Sequence, residues 1–453
     1  MTILTLSTAI AVIYGLVSRR YERALAIGAI TPAGAAVVAG GEAVPTFYAV
    51  ALGGLGLLSW QWFARRGAPA NPRLTQIPGI PLLLLLFAWS VIVVVVSPML
   101  FPGLYTVTEN QTLVVAGDLA PSNFAQLIYL ALSIVVVVLV ARSATTGPGL
   151  LAIPLGVGIG LTFWRYLSVT YGVPFPEGVL DNSPGFKYIE TAPGGGLRFR
   201  GITTEPAALA MSAAAAAAYF LSYAAALRGW RRAASIAIAA IAIQLGLVST
   251  SATFLVVGAA LAALAVGAFV WRVLSPRFTV SPRALLIALG AVGVGLIALP
   301  ALVAQFTSLV DEKVSSSSFT DRSWADTESF KVFVETWGIG LGLGNVRASS
   351  LVYTLLGAVG VVGAILFVGA VLSIALPALG LTGYAPVMWA LTATFIGKAI
   401  SSPGLSDSSG VLWLGLGILA HGLLAAGHGT GTMLPRRAAA SASGVPDEAA
   451  SST

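Results

Sequence analysis

Apolar segments about the length of a membrane span follow one another along almost the whole chain. They lie at about 3–18, 24–41, 45–63, 78–101, 124–141, 149–169, 206–227, 233–249, 252–271, 284–304, 350–378, 385–400 and 410–427. A helical span needs about 20 predominantly apolar residues, because inside hydrocarbon the backbone can satisfy its own hydrogen bonds only within the segment. Of the 453 residues, 57% are hydrophobic and only 9% are charged. Soluble domains are about a quarter charged. The reading is an all-α polytopic membrane protein with thirteen transmembrane helices, or twelve if the first segment does not insert.

The loop charges set the orientation. Arg19, Arg20, Arg23, Arg65, Arg66, Arg73, Arg142, Arg228, Arg231, Arg232, Arg272, Arg277, Arg283, Arg436 and Arg437 all fall on one set of loops, whose only acids are Glu22, Asp447 and Glu448. Lysine and arginine mark the cytoplasmic side. The N-terminus is therefore expected outside and the C-terminus inside. The net charge of +7 is a topology signal, not a nucleic-acid footprint. The first basic run follows the first apolar stretch, which argues for a span rather than a cleaved signal peptide. Residues 1–434 read as one transmembrane domain, and the Ala/Ser-rich residues 435–453 as a disordered cytoplasmic tail.

Two outer loops are long, at about 170–205 and 305–349. Apolar positions at Trp324, Phe330, Phe333, Val334 and Trp337 suit a short amphipathic helix over Ser323–Trp337, lying on the membrane or capping a cavity. Cysteine is absent, and His421 and His428 are the only histidines. Disulfides and thiolate metal sites are thereby excluded, and no metal site is expected.

Arginines on the outer side oppose the positive-inside rule. They are Arg198, Arg200, Arg322 and Arg347, with Arg165 near the outer end of its span. A guanidinium grips phosphate oxygens in a bidentate way, so converging arginines at a bilayer surface suit a lipid-linked phosphate or pyrophosphate. The plainer alternative is pairing with outer acids or lipid headgroups. Glu205-Pro206 opens a helix, with Thr204 as candidate N-cap. Glu205 either complements that helix dipole, organises the arginines or acts as a base. Other carboxylates open to the base role are Asp321, Asp326 and Glu328. If they bind one such anion, Arg198, Arg200, Arg322 and Arg347 are expected to line one cavity with Glu205.

Glycine recurs at every second position from Gly338 through Gly340, Gly342 and Gly344, shortly before Arg347. Such a turn either brings backbone N–H groups to an anion or lets the loop pack between helices. Ser249–Thr253 offers hydroxyls for sugar or for helix ends. Ser122 reads as an N-cap, ahead of Asn123 and Gln126. His421 reads as a buried, hydrogen-bonded side chain.

In order and placement these pieces resemble the bacterial O-antigen polymerase and O-antigen ligase superfamily, particularly the Wzy-type exopolysaccharide polymerases. The likeness covers roughly residues 120–415. Arg198-Phe-Arg-Gly201 with Glu205-Pro206 resembles that family's R-x-x-G-x-x-x-E-P segment. Lys313-Val-Ser315-Ser316 with Asp321-Arg322 resembles its K-x-S-S and downstream arginine. Gly338–Gly344 with Arg347 and Ser349 resembles its glycine segment. Ser249–Thr253 and Ser122-Asn123 with Gln126 are weaker matches.

The resemblance implies a GT-C-type membrane glycosyltransferase in the bacterial inner membrane, with its active site on the periplasmic face. Donor and acceptor would be glycans on undecaprenyl pyrophosphate, with a chain-length regulator as a further partner and no cofactor. Catalytic roles then fall to Glu205, Arg198 and Arg347. Substrate-binding roles fall to Arg200, Arg322, Arg165, Lys313, Ser315, Gly342 and Gly344. A ligase of this superfamily would carry a histidine in the large outer loop; this chain has none there, which favours a polymerase. A ligase and a non-enzymatic glycolipid transporter are the alternatives. A transporter usually carries ionisable residues near the bilayer midplane, whereas here Arg165 and Lys398 lie toward outer ends.

Overall fold

The computed structural model of the chain describes residues 2–39, 42–64, 74–108, 111–184, 188, 198–274, 293, 317–402 and 404–430. Its elements run α1 (Ile3–Ser18), α2 (Tyr21–Gly28), β1 (Ala35–Ala39), β2 (Glu42–Pro45), α3 (Thr46–Ala64), α4 (Ile80–Leu100), α5 (Pro121–Arg142), α6 (Ala152–Tyr171), α7 (Pro206–Ala226), α8 (Gly229–Val248), α9 (Ala252–Leu274), α10 (Ser317–Glu335), α11 (Leu351–Ala378), α12 (Ala385–Ser401) and α13 (Val411–Thr430). Among the described residues, seven helices are long and apolar enough to cross a membrane: α4 to α9, α6 with its leading 3-10 turn from Pro148, and α11. The chain is a mostly helical, multi-pass membrane protein with one small antiparallel hairpin, β1–β2. The segment expected at 284–304 lies outside the described residues except for Gly293, and so does the tail from 435.

The centre is α7. Helices α6, α8, α9 and α12 pack around it, and Ala213–Ala217 are all buried. A lipid solvent supplies no hydrophobic drive between helices, so close backbone approach through small side chains carries the packing. Against this run, α12 presents Gly397, where a Cβ would come within 2.6 Å of Met211.

The apolar segment at 24–41 is not the expected helical span. It forms the eight-residue α2 and then the first strand of the hairpin. Even so, it runs the length of α1 in reverse: Tyr21 starts beside the end of α1, and Ala36 accepts a hydrogen bond from Thr5 in its first turn. Non-helical backbone at membrane depth survives only when protein buries it. Ala29, Thr31 and Ala33 to Ala36 are accordingly buried among neighbouring elements.

The helix α11 spans 28 residues, about 42 Å if straight. It breaks at Gly360, whose backbone (φ 65°, ψ −167°) is not helical. Gly338, Gly340, Gly342 and Gly344 all hold positive φ, between 77° and 99°, a region open to glycine at no steric cost. Their loop turns into the gap made by the break. Leu341 N–H donates to Gly357 O (2.8 Å), Gly342 N–H to Ala358 O (2.9 Å) and Val361 N–H to Gly338 O (2.9 Å). A Cβ on Gly344 would meet the Ser122 backbone at 2.6 Å. Asn123 Nδ2 donates to Leu343 O (2.6 Å) and to Asn345 Oδ1 (3.0 Å), fastening the loop to the first turn of α5.

Two sequence expectations about caps shift by one or two residues. At α5 the N-cap is Ala120, not Ser122, because Pro121 takes the first helical position and Asn123 Oδ1 accepts from Ala120 N–H (2.8 Å). At α7 it is Glu205, not Thr204, for the same reason at Pro206. The amphipathic helix is longer than expected, and its buried face is different. α10 packs on α11 through Ser329, Val332 and the half-buried Phe333, while Trp324, Phe330, Val334 and Trp337 stay exposed.

Candidate functional site

The segment before α7 separates its two arginines into different environments. Arg200 turns inward. Its Nη2 donates to Asp181 Oδ2 (2.7 Å), its Nη1 to Thr203 O (2.8 Å), and its guanidinium lies 4.6 Å over the Tyr188 ring. Arg165, from the last turns of α6, reaches the same oxygen: Nη1 to Asp181 Oδ2 at 2.9 Å, with further bonds to Gly201 O (2.6 Å) and to Glu177 (2.9 Å). Arg165, Asp181 and Arg200 are each more than 90% buried. Burial pushes the Asp181 carboxyl up. The Arg200 hydrogen bond and the Arg165 and Arg200 charges outweigh that and hold it below the usual carboxylate range. Gly201 sits in the middle at φ 60°, where a Cβ would strike Thr162 at 2.4 Å. This buried knot, charge-balanced by the half-exposed Glu177, ties the end of α6 to the start of α7.

Arg198 faces the other way, into a half-buried cluster with Arg322 and Glu205. Arg322 Nη2 stands 3.5 Å from Glu205 Oε2, joining α10 to the head of α7 across 117 residues. Arg198 Nη2 reaches Thr250 O, also at 3.5 Å, in the α8–α9 turn. Thr250 itself holds a positive φ of 48°. Burial first, then the adjacent Arg322 charge, pushes the Arg198 guanidinium below its ordinary value, while Glu205 pulls it back. Two cations thus face one carboxylate. Their contacts are long, compared with 2.6–2.9 Å for the principal bonds in the knot. Glu205 makes no side-chain cap bond to α7, so its carboxylate serves the arginines rather than the helix end.

Arg347 is exposed. Its N–H bonds Val107 O (2.8 Å), in the α4–α5 connection. Two residues on, Ser349 donates from N–H (2.9 Å) and Oγ (2.7 Å) to Asp326, one helical turn past Arg322 on α10. Arg347 therefore belongs to the end of the bundle where α10 docks. Asp326 is occupied by Ser349 and the N–H of Ser350, the N-cap of α11, and Glu328 pairs with Lys331 at 3.6 Å. Of the three candidate carboxylates whose side chains are described, Glu205 is the one drawn in among the outer arginines; the Asp321 side chain, like Lys313 and Ser315, lies outside the described residues. Gly342 N–H is committed to Ala358 O, and the glycine stretch serves to pack the loop.

The sequence therefore brings Arg198, Arg322 and Glu205 together and sends Arg200 and Arg165 elsewhere. Sequence reasoning missed Asp181, Glu177 and the Thr250 carbonyl. An available signal was the surplus of acids in the outer loops, since buried arginines need partners. It also missed the partners of Lys398, which donates to Gly404 O (2.9 Å) and stands 4.0 Å from the buried Asp407. His421 is half-buried with Nδ1 3.2 Å from Ala141 O, a structural contact. No family model matches the chain, and no curated protein matches it.

Proposed function

We propose that the chain is a GT-C-type membrane glycosyltransferase that polymerises undecaprenyl-pyrophosphate-linked oligosaccharide repeat units at the periplasmic face of the bacterial inner membrane. The observation that carries this reading is the loosely held Arg198–Glu205–Arg322 cluster at the head of the central helix. Two guanidiniums with weak internal contacts can exchange them for phosphate oxygens at little cost. Arg165 and Arg200, locked to Asp181, hold the segment that presents Arg198. Exposed Arg347 adds a third cation at the same end of the bundle.

In the proposed step, a sugar hydroxyl of the acceptor attacks the anomeric carbon of the donor glycan. The bond from that carbon to the pyrophosphate oxygen breaks as the new glycosidic bond forms. Negative charge grows on the leaving pyrophosphate and is met by Arg198 and Arg322, an electrostatic stabilisation directed at the transition state. The positive end of the α7 dipole acts in the same direction. Once pyrophosphate holds the arginines, Glu205 is released to accept the hydroxyl proton.

The test is a gel of products from purified protein and its lipid-linked repeat unit, without nucleotide sugar. A ladder of longer lipid-linked glycans is expected. Transfer only to an acceptor lacking the lipid carrier would reassign the chain as a ligase. Intact substrate with no transfer under either condition would remove the enzyme reading.

A further inference from the structure

A cavity lies at the C-terminal ends of α1, α3 and α5, with a volume of about 570 Å³. The whole of α5, about 33 Å, separates it from the glycine loop and α10. It is within the range of small-ligand sites, 300–1,000 Å³.

Its wall has two characters. Leu16, Leu57, Leu58 and Leu139 make one side apolar. Arg19 and Arg142 bring two guanidiniums to the other. The acid that lines it, Glu22, is 1% exposed and accepts hydrogen bonds from the Ser143 (2.8 Å) and Thr145 hydroxyls. Its carboxylate is thus engaged by two hydroxyls of the α5–α6 connection, and Ser143 lines the cavity with it. Arg19 ends α1 at φ 56°, a left-handed position where glycine would be unstrained. The rim includes Trp60, 71% exposed, and Leu16, 44% exposed. Exposed apolar side chains of a multi-pass membrane protein face lipid, and an aromatic ring at a helix end sits at headgroup depth. The cavity is therefore open sideways to the bilayer as well as at its charged mouth.

We propose that this cavity binds an anionic phospholipid of the inner leaflet, with its phosphate between Arg19 and Arg142 and its acyl chains along the leucine wall. Paired cations over an apolar cleft between spans fit an anionic headgroup with its tails attached. A free phosphate would leave the leucine wall uncovered, and a zwitterionic lipid would add a cation beside two arginines.

Native mass spectrometry of delipidated protein in detergent tests this, with phosphatidylglycerol and phosphatidylcholine as probes. Phosphatidylglycerol is expected to be retained in preference. The Arg19→Gln/Arg142→Gln double variant should lose roughly thirtyfold in that affinity, at about fivefold per arginine. Arg20→Gln, which removes one positive charge next to the cavity but outside its lining, should keep it. If the double variant aggregates, Leu57→Trp decides: filling the apolar wall should expel the lipid without changing charge. Equal retention of both lipids, an unchanged affinity in the variant that decides, or displacement of the lipid by free inorganic phosphate would overturn the proposal.

Discussion

Arg198→Ala should lower polymer formation by roughly 10²–10³-fold while the protein accumulates normally in the membrane, as expected when one preorganised donor to developing negative charge is removed. Among the described residues, no short bond holds the Arg198 side chain. It makes one long contact, to Thr250 O at 3.5 Å, and is half-buried. Its loss leaves no short internal bond broken. It does remove one of the two cations that face the proposed leaving group. Arg322→Ala should behave alike, with the added effect of leaving Glu205 without its 3.5 Å partner. The readout is ladder intensity per unit of membrane protein on the product gel. Wild-type ladders from both variants would end the arginine mechanism, since Arg200 and Arg165 are spent on Asp181.

Asp181→Asn should instead destabilise the fold, by about 3–5 kcal/mol, the usual cost of removing one partner from a buried ion pair. The substitution leaves Arg165 and Arg200, 7% and 6% exposed, without their shared carboxylate oxygen. The two phenotypes should separate: Arg198 variants are expected to fold and lose activity, whereas Asp181 variants are expected to fold poorly. The pH dependence follows from the lowered Asp181 pKa. Unfolded, the carboxyl binds its proton near pH 3.9; folded, it holds out to lower pH. Its contribution is therefore complete above about pH 4 and is lost as pH falls through the folded value. Melting of the detergent-solubilised protein should show that acid loss in the wild type, and the Asp181→Asn variant should lack it.

Much of this was readable in the residues because the membrane makes charge rare and therefore informative. The helical crossings follow from apolar length. The importance of the segment before α7 follows from arginines on the side where the rule disfavours them. What the sequence could not show was which arginine finds which acid. Arg198 and Arg200 are two residues apart and chemically identical, and their separation depends on where the 172–184 loop puts Asp181. That loop has no period from which a position could be read. The glycine run was readable as close approach of backbone, but its partner was not. The break at Gly360 lies inside a continuous apolar run, Val-Gly-Val-Val-Gly, which reads as uninterrupted helix. The apolar segment at 24–41 misled for a related reason. Hydropathy records that a segment is comfortable in a bilayer, and an eight-residue helix followed by buried extended chain satisfies that as well as a full span does.

Residues 29–36 also constrain how the chain is made. An ordinary apolar helix can leave the insertion machinery alone, because its backbone is already satisfied. Residues 29–36 cannot. Ala35 N–H needs Asn182 Oδ1 (2.7 Å), and Ala33 O needs the Tyr188 hydroxyl (3.3 Å). Asn182 is synthesised 147 residues after Ala35. At ~5–20 residues per second, the delay is roughly 7–30 s. During that interval this segment should be held by a chaperone or remain partly outside the lipid. Ribosome-bound chains truncated before Asn182 should therefore expose this segment to protease, and chains extended past Tyr188 should protect it. The N-terminal third of the protein would be the first part translated and among the last to be finished.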